Sequence, residues 1–291
     1  MSYLHYFIVF LLVAVHSSFS AVSPESHSAD SRSWQALVSI APHKYFVEKI
    51  AGDTVKVKVL LPPGANAHSY DPTPKQVISA SQADLWFRIG ESFENKTLAA
   101  LQSHNNRLKD IPLWKGIDLL QDSHQCGYVG CSSADPHYWL SPQLAKIQAK
   151  NIYEALLKYY PENAQEYTKN YQLLIEELDQ LDREIAVLLN PLADRTMMVS
   201  HPAYAYFAKD YDLIQLSVEF EGKDPTPKQL TRILNQAKQH KIKTIFIQPQ
   251  FNNKGAKLIA SQLGAEVVSL DPYQENYPQM MREIARNIAI K

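Results

Sequence analysis

Holding a metal requires imidazole, thiolate or carboxylate groups that the fold brings together from distant parts of the chain. The sequence contains ten histidines. His5 and His16 fall in an apolar N-terminal run and His27 in the polar stretch behind it. His104 is expected in a polar loop, and His240 at a predicted helix C-terminus, where partial positive charge is favourable. His43 follows a predicted strand by one turn and reads as a packing residue. His124 stands beside the two cysteines in QDSHQCGYVGC, which leaves three: His68 in PPGANAHSYDP, His137 in SADPHYWLSP and His201 in MMVSHPAYAYF. His68 and His201 stand just past predicted strands, and His137 stands before a predicted helix. In open α/β sheets ligands gather outside the carboxyl ends of strands. Asp271, in VVSLDPY, follows the last predicted strand and adds a carboxylate. Three imidazoles and one carboxylate complete a four-coordinate site suited to Zn²⁺ and leave no position for a reacting water. That donor set describes binding rather than catalysis. Residue context alone leaves open the alternative that these histidines are structural.

The elements that must position them alternate between short apolar runs and helical patterns. Strands are expected at 36–41, 55–61 and 84–89, then at 196–200, 213–218, 243–248 and 265–270, with helices between them. Helices are expected after Pro42, from Thr73, around 95–102, and from Pro142 to about Tyr160. From Glu162 to Asn190, the residues Tyr167, Tyr171, Leu174, Leu178, Leu181, Ile185 and Leu188 step by alternating fours and threes with no internal Gly or Pro. This stripe predicts a single helix of ~40 Å, ended by Pro191. The hexapeptide DPTPKQ occurs at 71–76 and again at 224–229. In each copy Thr stands three residues before Gln and directly before Pro, the spacing of a capping box with proline at the first helical position. The repeat therefore reads as the same helix start used in two similar halves. The predicted fold is α/β, with two similar lobes carrying parallel-type sheets, one long backbone helix joining them, and a metal site between them. The expected boundaries are 34–160 for the first lobe, 161–191 for the helix and 192–291 for the second lobe.

Residues 1–20 contain an apolar run too short to span a bilayer, closed by Ser18-Phe19-Ser20 before Ala21. This pattern predicts a secretory signal, followed by a leader over 21–33. No cysteine lies near the expected cut, so a soluble, exported, periplasmic monomer without a lipid anchor is expected. The only two cysteines, Cys126 and Cys131, are spaced to close a small disulfide loop in an oxidising compartment, with a free or metal-bound pair as the rival. A net charge of −1 and the lack of a basic run with interleaved aromatics argue against a nucleic-acid partner. A His-Glu-x-x-His pair, a Gly-x-Ser-x-Gly elbow and a Walker loop are all missing from the sequence, which argues against an enzyme.

The segments VSIAPHKYFVEKIAGDTVKVKVLLPPGANAHSYDPTPKQV, ADLWFRIGESFE, DPHYWLSP, SHPAYAYFAKDY, IFIQPQF and SLDPY together resemble the metal-specific solute-binding proteins of ABC importers, the zinc- and manganese-uptake receptors. The resemblance implies two α/β lobes on a long helix, a metal ion carried as cargo, and delivery to a membrane permease with its cytoplasmic ATPase. It places the ligands on His68, His137, His201 and Asp271. His at the third ligand position, rather than Glu, implies Zn²⁺ over Mn²⁺. Two departures stand out. The segment 121–135 is short where zinc-uptake members often carry a long His- and Asp-rich loop, and Gln248 replaces the Glu of many members. Two other readings remain at this point: a zinc hydrolase in which water replaces one ligand, and a metal-stabilised adhesin.

Overall fold

The computed structural model describes Met1 and residues 34–121, 134–219 and 225–290. The expected signal and leader, and the Cys126–Cys131 loop, lie outside the described residues.

The first half opens with β1 (Trp34–Val38), α1 (Ala41–Ala51), β2 (Val55–Val59), α2 (Pro74–Ala80), β3 (Leu85–Arg88), α3 (Ser92–His104) and β4 (Lys109–Pro112). Its four strands pair in parallel in the order β2-β1-β3-β4. Then come α4 (Pro142–Tyr159) and α5 (Ala164–Leu189). The second half continues with β5 (Thr196–Val199), α6 (Ala205–Asp210), β6 (Ile214–Ser217), α7 (Pro227–Gln239), β7 (Thr244–Ile247), α8 (Lys254–Leu263), β8 (Glu266–Ser269) and α9 (Tyr277–Ala289). It builds a second parallel sheet in the order β6-β5-β7-β8. The two strand orders correspond one for one, so both lobes follow the same winding. Among the described residues no helix is long and apolar enough to cross a membrane.

Both DPTPKQ copies open helices as their chemistry dictates. Thr73 and Thr226 are the N-caps of α2 and α7, and each hydroxyl accepts from the backbone N–H of Gln76 or Gln229. Each Gln side chain in turn accepts from the backbone N–H of its cap, at 2.9 Å for Thr73 and 2.8 Å for Thr226. Together they satisfy two otherwise orphaned donors. The two copies sit at matching places, after β2 and after β6.

The long helix α5 buries Tyr167, Leu174, Leu178, Leu181, Ile185 and Leu189. It packs against α1 and α4 of the first half and α9 of the second. Arg282 of α9 pairs with Glu184 at 2.7 Å, and Tyr45 of α1 donates to Glu177 at 2.7 Å. One departure from the expected stripe is informative: Leu188 is 38% exposed, and Leu189 is buried in its place. A stripe stepping by 3.5 residues drifts about 20° per heptad around a helix that turns every 3.6, so the buried line moves over by one residue after three heptads. One hydrophobic core runs through both lobes, from Ala36 to Ile288, and a smaller one around Ile245 and Ile259 underlies α7 and α8.

Candidate metal centre

Each of the three histidines is delivered by a turn that the local sequence builds. After β2, Pro62-Pro63-Gly64-Ala65 reverses the chain, with Ala65 N–H donating to the carbonyl of Pro62 at 3.2 Å. Gly64 takes φ +76°, the left-handed conformation that the third position of such a turn requires. Asn66 then accepts from the N–H of His68 at 2.9 Å and opens a single 3-10 turn that holds the imidazole. His137 directly precedes the 3-10 turn Tyr138–Leu140. His201 follows β5 by two residues, where Ser200 N–H still donates to Phe246 of the neighbouring strand at 2.7 Å. His137 and His201 are buried, and His68 is half-buried.

The three imidazoles meet through the same ring atom. His68 Nε2 lies 3.1 Å from His201 Nε2, and His201 Nε2 lies 3.4 Å from His137 Nε2. One ligand atom of each lies within 4.8 Å of the others. At zinc–nitrogen distances of about 2.0–2.1 Å, tetrahedral geometry separates two nitrogens by roughly 3.4 Å, so the donors stand where a shared cation would place them. The walls are aromatic. Phe251 stacks on His201 with centroids 3.9 Å apart, and the Trp139 ring lies 5.3 Å from that of His137.

The opposite ring nitrogens all face carboxylates. His68 Nδ1 lies 3.1 Å from Glu91, His137 Nδ1 lies 2.7 Å from Asp135, and His201 Nδ1 lies 2.7 Å from Glu219. Each Nδ1 therefore stands within hydrogen-bonding reach of a carboxylate, and each Nε2 is the atom turned toward the other two rings. Burial works to raise the Glu91 carboxyl, but the adjacent His68 imidazole and its hydrogen bond outweigh it and hold the group below its ordinary value. The three Nε2 atoms thus crowd a single point. A cation resolves that arrangement.

Asp271 stands apart from this group. Its Oδ1 accepts from Gln250 Nε2 at 2.7 Å and from the N–H of Tyr273 at 2.9 Å. Together with Gln250 and Tyr273 it lines a cavity of about 560 Å³ whose other wall is the turn after β2. His43 is fully buried in α1 with its Nε2 2.6 Å from Gln148 Oε1, and His240 caps the C-terminus of α7. Neither joins the triad. The sequence reading passed over Glu91, Asp135 and Glu219. The rule that selected His68 and His201, position just past a strand's carboxyl end, also applies to Glu91 after β3 and Glu219 after β6.

The family model for the zinc-uptake complex component A, periplasmic (ZnuA), matches residues 37–290. The chain belongs to this family. The high-affinity zinc uptake system protein ZnuA of Bacillus subtilis is 30% identical over 274 residues, covering 90% of this chain and 85% of that protein. The manganese ABC transporter substrate-binding lipoprotein PsaA of Streptococcus pneumoniae is 28% identical over 223 residues, covering 73% and 71%. A crystal structure of ZnuA superposes with a TM-score of 0.84 at 36% identity, covering 89% of this chain and 98% of that one. As a ZnuA-family protein, the chain is an extracytoplasmic divalent-metal-binding component of an ABC uptake system, not an enzyme, and its family role implies a membrane permease as partner.

Proposed function

We propose that this protein is a periplasmic zinc receptor. It captures Zn²⁺ between its lobes on His68, His137 and His201, takes Asp271 as the fourth ligand, and passes the ion to a permease driven by a cytoplasmic ATPase. The observation that carries this reading is the convergence of three Nε2 atoms whose Nδ1 partners are all carboxylates. Asp271 would reach the ion by exchanging its bond from Gln250, a side-chain movement at the mouth of the interlobe cavity. His201 at the third position supports Zn²⁺ over Mn²⁺, because an imidazole-rich set suits zinc whereas carboxylate and water suit manganese. Residues 1–20 would direct export, 21–33 would form the leader, and Cys126 with Cys131 would close a disulfide loop. The lobes would span 34–160 and 192–291, with 161–191 as the joining helix.

The experiment is a calorimetric titration of Zn²⁺ into chelator-stripped protein. One tight site per chain is expected, lost in His137→Ala while the far-ultraviolet circular dichroism stays unchanged. Mn²⁺ is expected to bind more weakly to the same site, and competition between the two ions reads this directly. A folded protein with no saturable zinc binding refutes the assignment.

A further inference from the structure

The three carboxylates behind the histidines share a pattern that the ligand set alone does not explain. Each belongs to the same lobe as its imidazole: Glu91 and His68, Asp135 and His137 in the first, Glu219 and His201 in the second. Each pair is made within one lobe, although the backbone of Asp135 is also held by Tyr206 of the second lobe. Each is also fixed from behind. Glu91 is the N-cap residue of α3, and its carbonyl accepts from the N–H of Glu94 at 3.1 Å. Asp135 accepts from both the N–H and the Nδ1 of His137, while its own N–H donates to Leu120 at 2.8 Å and its carbonyl accepts from Tyr206 at 2.8 Å. Glu219 donates its N–H to Ser200, the residue before His201, at 3.0 Å, and its carbonyl accepts from Ser217 Oγ at 2.9 Å.

We infer that Glu91, Asp135 and Glu219 are positioning residues that lock His68, His137 and His201 in the Nδ1–H tautomer before metal arrives, so that three Nε2 lone pairs are presented ready-made to a divalent cation. This rests on the metal-site reading above and deepens it. A free imidazole rotates and exchanges its proton between two nitrogens, and each ring that must be sorted at the moment of binding weakens the site. A carboxylate on Nδ1 removes both freedoms and makes the opposite nitrogen a stronger donor. The negative charge of the three groups also stands close to the arriving dication, although none of them is a ligand.

The test has two arms. Two-bond proton–nitrogen correlation spectra of the metal-free, histidine-labelled protein report the tautomer of each ring without any variant or metal. The expected result is a protonated Nδ1 and a bare Nε2 on all three histidines. Mixed or Nε2–H tautomers on them overturn the inference whatever the protein binds. In the second arm, Glu91→Gln, Asp135→Asn and Glu219→Gln are titrated with Zn²⁺. Each is expected to keep one site per chain with roughly 10–100-fold weaker binding, and to lose tautomer order only at its own histidine. Wild-type affinity in all three variants, alongside lost binding in His137→Ala, overturns the inference while the metal site stands. No zinc binding by the wild type overturns the site reading instead, and the tautomer spectra still decide the positioning role. The unfolding midpoint of each metal-free variant separates these outcomes from simple loss of fold.

Discussion

Two buried ionisable groups near the first sheet should oppose each other as pH changes, and the opposition can be measured. Glu94 is buried in α3, accepts from the N–H groups of Ile89 and Gly90, and receives the hydroxyl of Ser39. Burial pushes its carboxyl up to about 7, against the pull of those hydrogen bonds and of Arg88 nearby. His43 is buried in α1 beside Gln148, and burial lowers its imidazole to about 4. Between its unfolded value of 4.5 and about 7, Glu94 holds its proton in the native state and releases it in the unfolded one. Stability from this group therefore declines as pH rises through that window. Between about 4 and 6.5, His43 is neutral in the native state and protonated in the unfolded one. Stability from this group is full above 6.5 and is lost as pH falls. Each shift corresponds to about 3 kcal/mol over its whole window, of which about 2 kcal/mol falls between about pH 7.5 and pH 5.

The two contributions largely cancel in the wild type, and single substitutions expose them. Urea unfolding of chelator-stripped wild type, Glu94→Gln and His43→Gln at the two pH values gives the comparison, provided that m-values agree. Relative to wild type, Glu94→Gln should be about 2 kcal/mol worse at pH 5 than at pH 7.5, because it cannot take up the stabilising proton. His43→Gln should be about 2 kcal/mol better at pH 5 than at pH 7.5, because its unfolded state has no extra proton to gain. The constant cost of either substitution drops out of this difference, as do the ionisations of the metal-site histidines. If both variants track the wild type within about 0.5 kcal/mol across the two pH values, burial does not govern these groups and the reasoning fails.

The helix starts and the long helix give two simpler tests. Thr73→Ala and Thr226→Ala should each cost about 1 kcal/mol in urea unfolding, since both caps make the same pair of hydrogen bonds; no loss in either would mean that the repeated hexapeptide serves something other than capping. Leu178→Ala should cost 2–5 kcal/mol from the fully buried face of α5, whereas Leu188→Ala, on the half-exposed side, should change stability by only about 0.5 kcal/mol; similar losses at the two positions would mean that the buried line does not drift as described.

What the sequence disclosed and what it concealed divide along the range of the interactions involved. Capping boxes, the apolar stripe of α5 and strands with continuous apolar runs are local, and they were legible. The strand β4 was not, because Lys109-Asp110-Ile111-Pro112 offers no apolar run and ends in proline. It forms at the edge of the sheet because β3 supplies the ladder and Arg88 supplies a partner for Asp110 at 2.5 Å. Neither is visible in four residues read alone. The metal site shows the same division. His68 and His201 announce themselves by standing past strand ends, and the family resemblance joins them to His137. Which nitrogen of each ring faces inward depends on Glu91, Asp135 and Glu219, and two of these reach their histidine only after parallel strands have paired. Asp271 marks the converse. Its position after β8 satisfies the same rule, yet its carboxylate is held by Gln250 and the Tyr273 N–H rather than turned to the triad. Position past a strand end selects the residues that can face the cleft between the lobes. The partner that each side chain finds there determines whether it points at the ion, stands behind a ligand, or waits at the mouth.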